Sequence, residues 1–182
     1  MTFLASKAQL RASFLRWSLF MVPLVVLLGF LSGGLGSPNT VWFQNLDKPA
    51  IFPPPYLFGI VWSVLYVMIG LALALVASAW GAFGRGLALV VFGLHFLGNL
   101  AWSPVFFALQ DIDAALWVLV YVNASLVAVI ALFWRIRRIA ALLLVPYLAW
   151  TLFAMVLNYQ FIAANPGADA QIDDGAVERI EL

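Results

Sequence analysis

The sequence predicts an all-α integral membrane protein: a five-transmembrane-helix bundle with an ordered first loop. Composition is the first observation behind this. Of 182 residues, 65% are hydrophobic and only 9% charged, with a mean hydropathy of +1.05. Soluble domains average about 45–50% apolar and about 25% charged residues. Nine Lys and Arg with eight Asp and Glu cannot coat a water-soluble protein of 20.0 kDa, which excludes a soluble enzyme, a nucleic-acid-binding module and a disordered chain. The second observation is that the apolar runs are continuous rather than alternating, unlike a β-barrel strand. The third is the separation of charge described below. With no cysteine in the chain, disulfides, zinc–thiolate sites, iron–sulfur ligation and thiol catalysis are excluded as well.

A spanning helix needs about 20 apolar residues, because about 30 Å of hydrocarbon is crossed at about 1.5 Å per residue. Five segments qualify, Ser18–Leu35, Tyr56–Ser78, Leu87–Leu109, Ala114–Trp134 and Ile139–Phe161, and none contains a charged residue. The first could be taken for a cleaved signal peptide, but its run of about 18 residues exceeds the usual apolar region of about 7–15. It is read as a retained span. Residues 1–17 form a basic N-terminal extension, 18–161 the membrane domain, and 162–182 an acidic tail expected to be disordered. An odd number of spans places the termini on opposite sides. Lys7, Arg11, Arg16, Arg85, Arg135, Arg137 and Arg138 fall on the N-terminal side, whereas Lys48, Arg179 and every carboxylate fall on the other. Positive-inside bias then predicts a cytoplasmic N-terminus, if the membrane is a bacterial inner membrane. The loop 36–55 carries five prolines together with Val41, Trp42, Phe43, Ile51 and Phe52. Proline lowers the entropy lost on ordering, so a lid is expected there rather than a slack connector.

Eight tryptophans is a high count. Trp17, Trp80 and Trp134 sit at span ends and fit an interfacial belt; Trp62, Trp102, Trp117 and Trp150 lie within spans and need another explanation, in packing or in a cavity. In the third span His95, Asn99, Trp102 and Phe106 recur at helical spacing on one face. Asn99 stands at the centre of that span, where an amide must find a partner inside the bundle. Packing glue and a polar anchor in an aromatic cavity are both consistent with it. The lone histidine, His95, cannot build a multi-histidine metal site; a hydrogen-bonded pocket residue or one axial ligand to haem iron are the readings open to it. The fifth span places Tyr147, Trp150, Ala154 and Asn158 on another stripe. No intramembrane carboxylate exists for a proton relay, and no Ser–His–Asp triad can be assembled within the spans. No catalytic residue and no metal site are expected.

The first loop, with the motifs that follow it, resembles the TspO/MBR family, the tryptophan-rich sensory proteins related to the mitochondrial translocator protein. The loop pattern W-[YF]-x-x-L-x-K-P-x-W-x-P-P is met by Trp42, Phe43, Leu46, Lys48, Pro49, Pro53 and Pro54, and Phe58, Trp62, Leu65 and Tyr66 continue it. Asn99, Trp102, Pro104, Phe106 and Phe107 match the third-span pattern Q-x-x-x-N-x-x-W-x-P-x-F-F. In the fifth span Pro146, Tyr147, Leu148, Trp150, Ala154, Leu157 and Asn158 match P-Y-L-x-W-x-x-x-A-x-x-L-N.

The resemblance implies a cavity, capped by the first loop, for porphyrins and other flat hydrophobic ligands, with sterol-like molecules and homodimers also associated with the family. Trp42, Pro49, Phe58, Trp62, Asn99, Trp102, Phe106, Tyr147 and Trp150 would line or lid it, with His95 beside them. No cofactor is obligatory; a porphyrin or haem-like molecule is the expected ligand, and membrane lipid the surrounding partner. Three departures bear on this. Ile51 replaces the loop tryptophan, an aromatic implicated in light-dependent porphyrin breakdown. His95 replaces the third-span glutamine, so that a free ring nitrogen facing the cavity could coordinate haem iron. No basic residue stands close after Tyr159, where the weak cholesterol-type pattern would require one. A receptor or carrier is therefore the leading expectation, ahead of a light-dependent porphyrin-degrading enzyme and of a purely structural subunit. Gly29-x-x-x-Gly33 and Gly70-x-x-x-Ala74 permit close helix approach, which inside a five-helix bundle is more often used internally than for dimers.

Overall fold

The computed structural model describes residues 6–36 and 38–168. Its first helix, α1 (Lys7–Gly34), opens with a capping box: Gln9 N–H donates to Ser6 Oγ at 3.2 Å, and Ser6 N–H donates back to Gln9 Oε1 at 2.8 Å. Two orphan amides are thereby satisfied. The basic segment from residue 7 thus continues into the first span without a break. There follow a short loop helix, α2 (Val41–Asn45), then α3 (Pro55–Ala77), α4 (Arg85–Ser103), a π-helical turn (Pro104–Ala108), α5 (Ile112–Ile136), α6 (Arg138–Leu143) and α7 (Val145–Ala164). The helical segments Ala8–Gly34, Pro55–Ala77, Arg85–Ala108, Ile112–Ile136 and Arg138–Ala164 are long and apolar enough to cross a membrane. The chain is a multi-pass integral membrane protein.

The fifth span is broken at Leu144, which the apolar pattern did not foretell. Pro146, in the first turn of α7, brings no N–H to the helix ladder, and α6 ends one residue before α7 begins.

The core centres on α3 and α5, where Ile69, Ala72, Val76, Leu126, Val129 and Phe133 are fully enclosed. α1 packs along α3, while α5 lies between α4 and α7. Two of the glycines singled out above are used inside this bundle. A Cβ at Gly70 would lie 2.7 Å from the Val22 Cα of α1, and one at Gly29 would fall within the Tyr66 ring of α3.

The basic residues of α1, α4 and the α5–α6 junction gather at one end of the bundle. There the Arg85 guanidinium donates to Ala77 O at 2.7 and 3.0 Å, closing the end of α3, and lies 4.3 Å over Trp80. Arg138 similarly lies 5.6 Å over Trp134. Trp117 is exposed near the start of α5, at the opposite end. The first residues of the expected tail are ordered, since α7 runs to Ala164 and Ala168 is buried. Residues 169–182, Arg179 among them, lie outside the described residues.

Candidate functional site

Pro104 shapes the wall of the site. Lacking an N–H, it leaves Leu100 O four residues back without a backbone donor. Ser32 of α1 supplies one through its hydroxyl, tying α1 to α4 at this height. Beyond Pro104 the chain opens into the π turn, closed by Leu109 N–H donating to Pro104 O at 2.9 Å. Such turns insert one residue into the helical repeat. They let Phe106 and Phe107, neighbours in sequence, both face the same space, their rings 4.8 Å apart.

That space is a cavity of about 510 Å³ bounded by α1, α3, α4, the π turn, α7 and the first loop. Phe58, Trp62 and Tyr66 come from α3, Trp102, Phe106 and Phe107 from the α4 side, and Leu157 and Phe161 from α7. Trp62 stacks on Tyr66 with centroids 5.0 Å apart, and Trp102 lies 5.3 Å from Phe106. Trp102 is aimed by α7: its Nε1–H donates to Asn158 Oδ1 at 3.3 Å, and Asn158 Nδ2 donates to Ile112 O at 2.9 Å. Asn99, 9% exposed, is in the wall and its Oδ1 accepts no hydrogen bond. Buried amide oxygens are nearly always paired, because leaving one unpaired costs about 1–3 kcal/mol. Asn99 thus places a polar side chain in a largely aromatic wall.

The first loop is the expected lid. Thr40 Oγ1 accepts from Phe43 N–H at 3.3 Å to start α2. Lys48 ends it, Nζ donating to the carbonyls of Phe43 and, at 2.6 and 3.4 Å, of Leu46 and Gln44. Partial burial lowers the Lys48 pKa below its ordinary value, against the opposing pull of the Asp47 carboxylate. Phe43 and Phe52 hang from this frame into the cavity, and Phe43 meets the rings of Phe106, Phe107 and Phe161. The lid is latched to the end of α7. Asp47 N–H donates to Asn165 Oδ1 at 2.7 Å, and Asn165 Nδ2 donates to Asp47 O at 3.0 Å.

Of the residues expected at the site, Phe58, Trp62, Asn99, Trp102 and Phe106 line the cavity. Trp42 stands behind the wall with its ring 5.9 Å from Phe106, and Trp150 behind Phe58 at 5.7 Å. The indole N–H of each is buried and unpaired. Pro49 is part of the lid frame, its carbonyl accepting from Phe52 N–H at 2.9 Å. Tyr147, fully buried, lies against Trp62 and under the cavity rather than in its wall.

His95 is also off the wall. It shares the face of Asn99, as its spacing predicts, but sits one turn deeper, level with Tyr147. Ser125 Oγ donates to Val122 O at 3.1 Å and so accepts from His95 Nδ1–H at 2.8 Å; His95 Nε2 accepts from Tyr147 O–H at 3.1 Å. Both ring nitrogens are engaged in tying α4, α5 and α7 together. Periodicity gave the face correctly and could not give the depth at which the cavity ends.

The unforeseen participants are Asn158 as the partner of Trp102, Lys48 as the helix cap and Asn165 as the latch. Asn158 and Lys48 stood in motifs whose roles spacing does not reveal. The Asp47–Asn165 pairing joins residues 118 apart in sequence, for which no local signal exists.

Fold and cavity together define a class: a polytopic five-helix membrane protein with a lidded, aromatic cavity between its spans. The chain belongs to the TspO/MBR family, whose model matches residues 21–163. Tryptophan-rich protein TspO of Chlorobaculum tepidum is 37% identical over 130 residues, covering 71% of this chain and 82% of that protein. The Tryptophan-rich sensory protein of Cereibacter sphaeroides is 32% identical over 150 residues, 82% of this chain and 92% of that one. The human Translocator protein is 36% identical over 129 residues, 69% and 76% of the two chains.

Proposed function

We propose that this protein is a membrane receptor or carrier that binds flat, mostly apolar ring systems, porphyrins foremost and sterol-like molecules second, in a regulatory or sensory role. The carrying observation is the cavity itself: stacked and edge-on aromatic rings with an amide side chain, Asn99, in the wall. Aromatic faces suit a planar ring system, and an amide side chain can hydrogen-bond its nitrogens or hydroxyls. A volume of about 510 Å³ falls within the roughly 300–1,000 Å³ of small-molecule sites. The names of the relatives, sensory protein and translocator, support the role.

Ring stacking, not metal ligation, carries the binding, since His95 has both nitrogens occupied and stands below the cavity. Haem and metal-free porphyrin are then held alike. Light-dependent porphyrin breakdown is the weaker reading, because position 51 is isoleucine where the family pattern has tryptophan. The clustered arginines argue for a cytoplasmic N-terminus in a bacterial inner membrane. A homodimer uses some surface other than Gly29 and Gly70, which are taken up inside the bundle.

Titrating protoporphyrin IX into the detergent-solubilised protein while following tryptophan fluorescence is the test, with saturable quenching expected. No saturation by about 0.1 mM, where binding is worth only about 5–6 kcal/mol, sinks the proposal.

A further inference from the structure

We infer that ligands reach and leave the cavity sideways from the bilayer, through a glycine-framed mouth between α1 and α3, while the lid stays latched. The inference rests on the reading of the cavity as a ligand site. Its ground is an asymmetry in how α1 and α3 meet. Toward the basic end of the bundle they touch, Gly70 against the Val22 backbone and Gly29 against the Tyr66 ring. Toward the lid end they part. Gly33 and Gly34 on α1 and Gly59 on α3 all border the cavity, are all exposed, and have no atom within 4 Å of where a Cβ would stand.

Among the described residues, the top and the floor are shut. The lid presses Phe43 and Phe52 into the cavity top and is held by the Asp47–Asn165 pair. Tyr147 closes the floor, its hydroxyl already given to His95. Inside the mouth stands Asn99, nine-tenths buried in the cavity wall. Gly59 is four residues into α3, about 6 Å along the helix, so the mouth opens near the headgroup boundary. A flat amphiphile lying there, ring in the acyl region and polar groups among the headgroups, meets the mouth edge-on. The ligand class that follows is membrane-dissolved planar amphiphiles rather than water-borne solutes.

The chain has no cysteine, so the mouth can be shut with a staple of unique chemistry. Packed helices run about 8–10 Å apart, within reach of a short, reducible bis-methanethiosulfonate joining Gly33→Cys to Gly59→Cys. The full-length protein is loaded with protoporphyrin IX or, separately, with Nile red. It is then stapled and passed through dye-free detergent. We expect dye loss at least about tenfold slower than from the unstapled protein, restored by reductant. Gly33→Leu with Gly59→Leu, filling the gap without chemistry, is expected to slow loading and loss alike. Equal loss from stapled, leucine-filled and unmodified protein overturns the mouth and leaves the porphyrin reading intact. Trapping of Nile red with no loading of protoporphyrin IX does the reverse. If neither dye loads into unmodified protein, both ideas fall.

Discussion

Replacing Asn165 by alanine tests the lid as a latched element. The side chain makes two hydrogen bonds across to the lid, accepting from Asp47 N–H at 2.7 Å and donating to Asp47 O at 3.0 Å. Each such bond contributes about 0.5–1.5 kcal/mol net. Both are solvent-accessible, so the lower half of that range applies and the pair is worth about 1–2 kcal/mol. The aromatic contacts of Phe43 and Phe52 are untouched, so the lid opens more often without unfolding. At about 1.4 kcal/mol per tenfold, its open population rises roughly 5–30-fold. Hydrogen–deuterium exchange of amides 41–52 in detergent reads this directly. Exchange there is expected to speed up by that factor, while amides in α3 and α5 keep their protection. Asn165 Nδ2 also donates to Phe161 O at 3.0 Å, so some fraying of the last turn of α7 accompanies it. Unchanged exchange over 41–52 refutes the latch, and equal acceleration in every helix means that Asn165 supports the whole bundle instead.

Asn99→Leu is expected to leave the melting temperature unchanged or raise it, since the amide oxygen it removes is unpaired, and to weaken porphyrin binding about 2–10-fold in a quenching titration. An unaltered affinity would show that the amide anchors nothing. Gly29→Leu drives a side chain into the Tyr66 ring and costs about 1–3 kcal/mol or more by overpacking, read as a lower thermal midpoint in detergent; a midpoint equal to wild type contradicts the close approach. His95→Leu strands the Tyr147 hydroxyl in a fully enclosed site and is expected to destabilise the bundle by about 1–3 kcal/mol. His95→Gln should be milder and leave the ratio of haem to protoporphyrin IX affinity unchanged, and a Soret band that shifts on that substitution would place His95 on the iron after all.

Much of the fold is written in the sequence because hydrocarbon thickness leaves little choice. Uncharged runs of twenty-odd residues between short charged breaks yield spans whose ends differ from the observed helices by one to three residues, except that α1 begins at Lys7, eleven residues before the expected start at Ser18. What composition cannot register is the effect of a single missing N–H. Pro104 and Pro146 each redirect a span, one by a π turn and one by a break, within runs that read as uninterrupted. The site was legible as faces. Asn99, Trp102 and Phe106 share one, as their spacing requires, and all three meet the cavity. Depth was not legible, which is why His95 and Tyr147 belong to the floor. The glycines divide on the same ground: Gly29 and Gly33, one turn apart in one motif, meet a tyrosine ring and open space. Only the far helix, fixed by the whole fold, decides which.

The π turn carries a consequence for how this wall responds to mutation. In an α-helix adjacent residues point about 100° apart, and neighbouring substitutions act on different surroundings. Phe106 and Phe107 escape that rule and form one continuous panel, with Phe43 and Trp102 each touching both rings. Trimming either ring removes the support on which the other is held. Their effects are coupled, and a scan of single alanines would count the same panel twice.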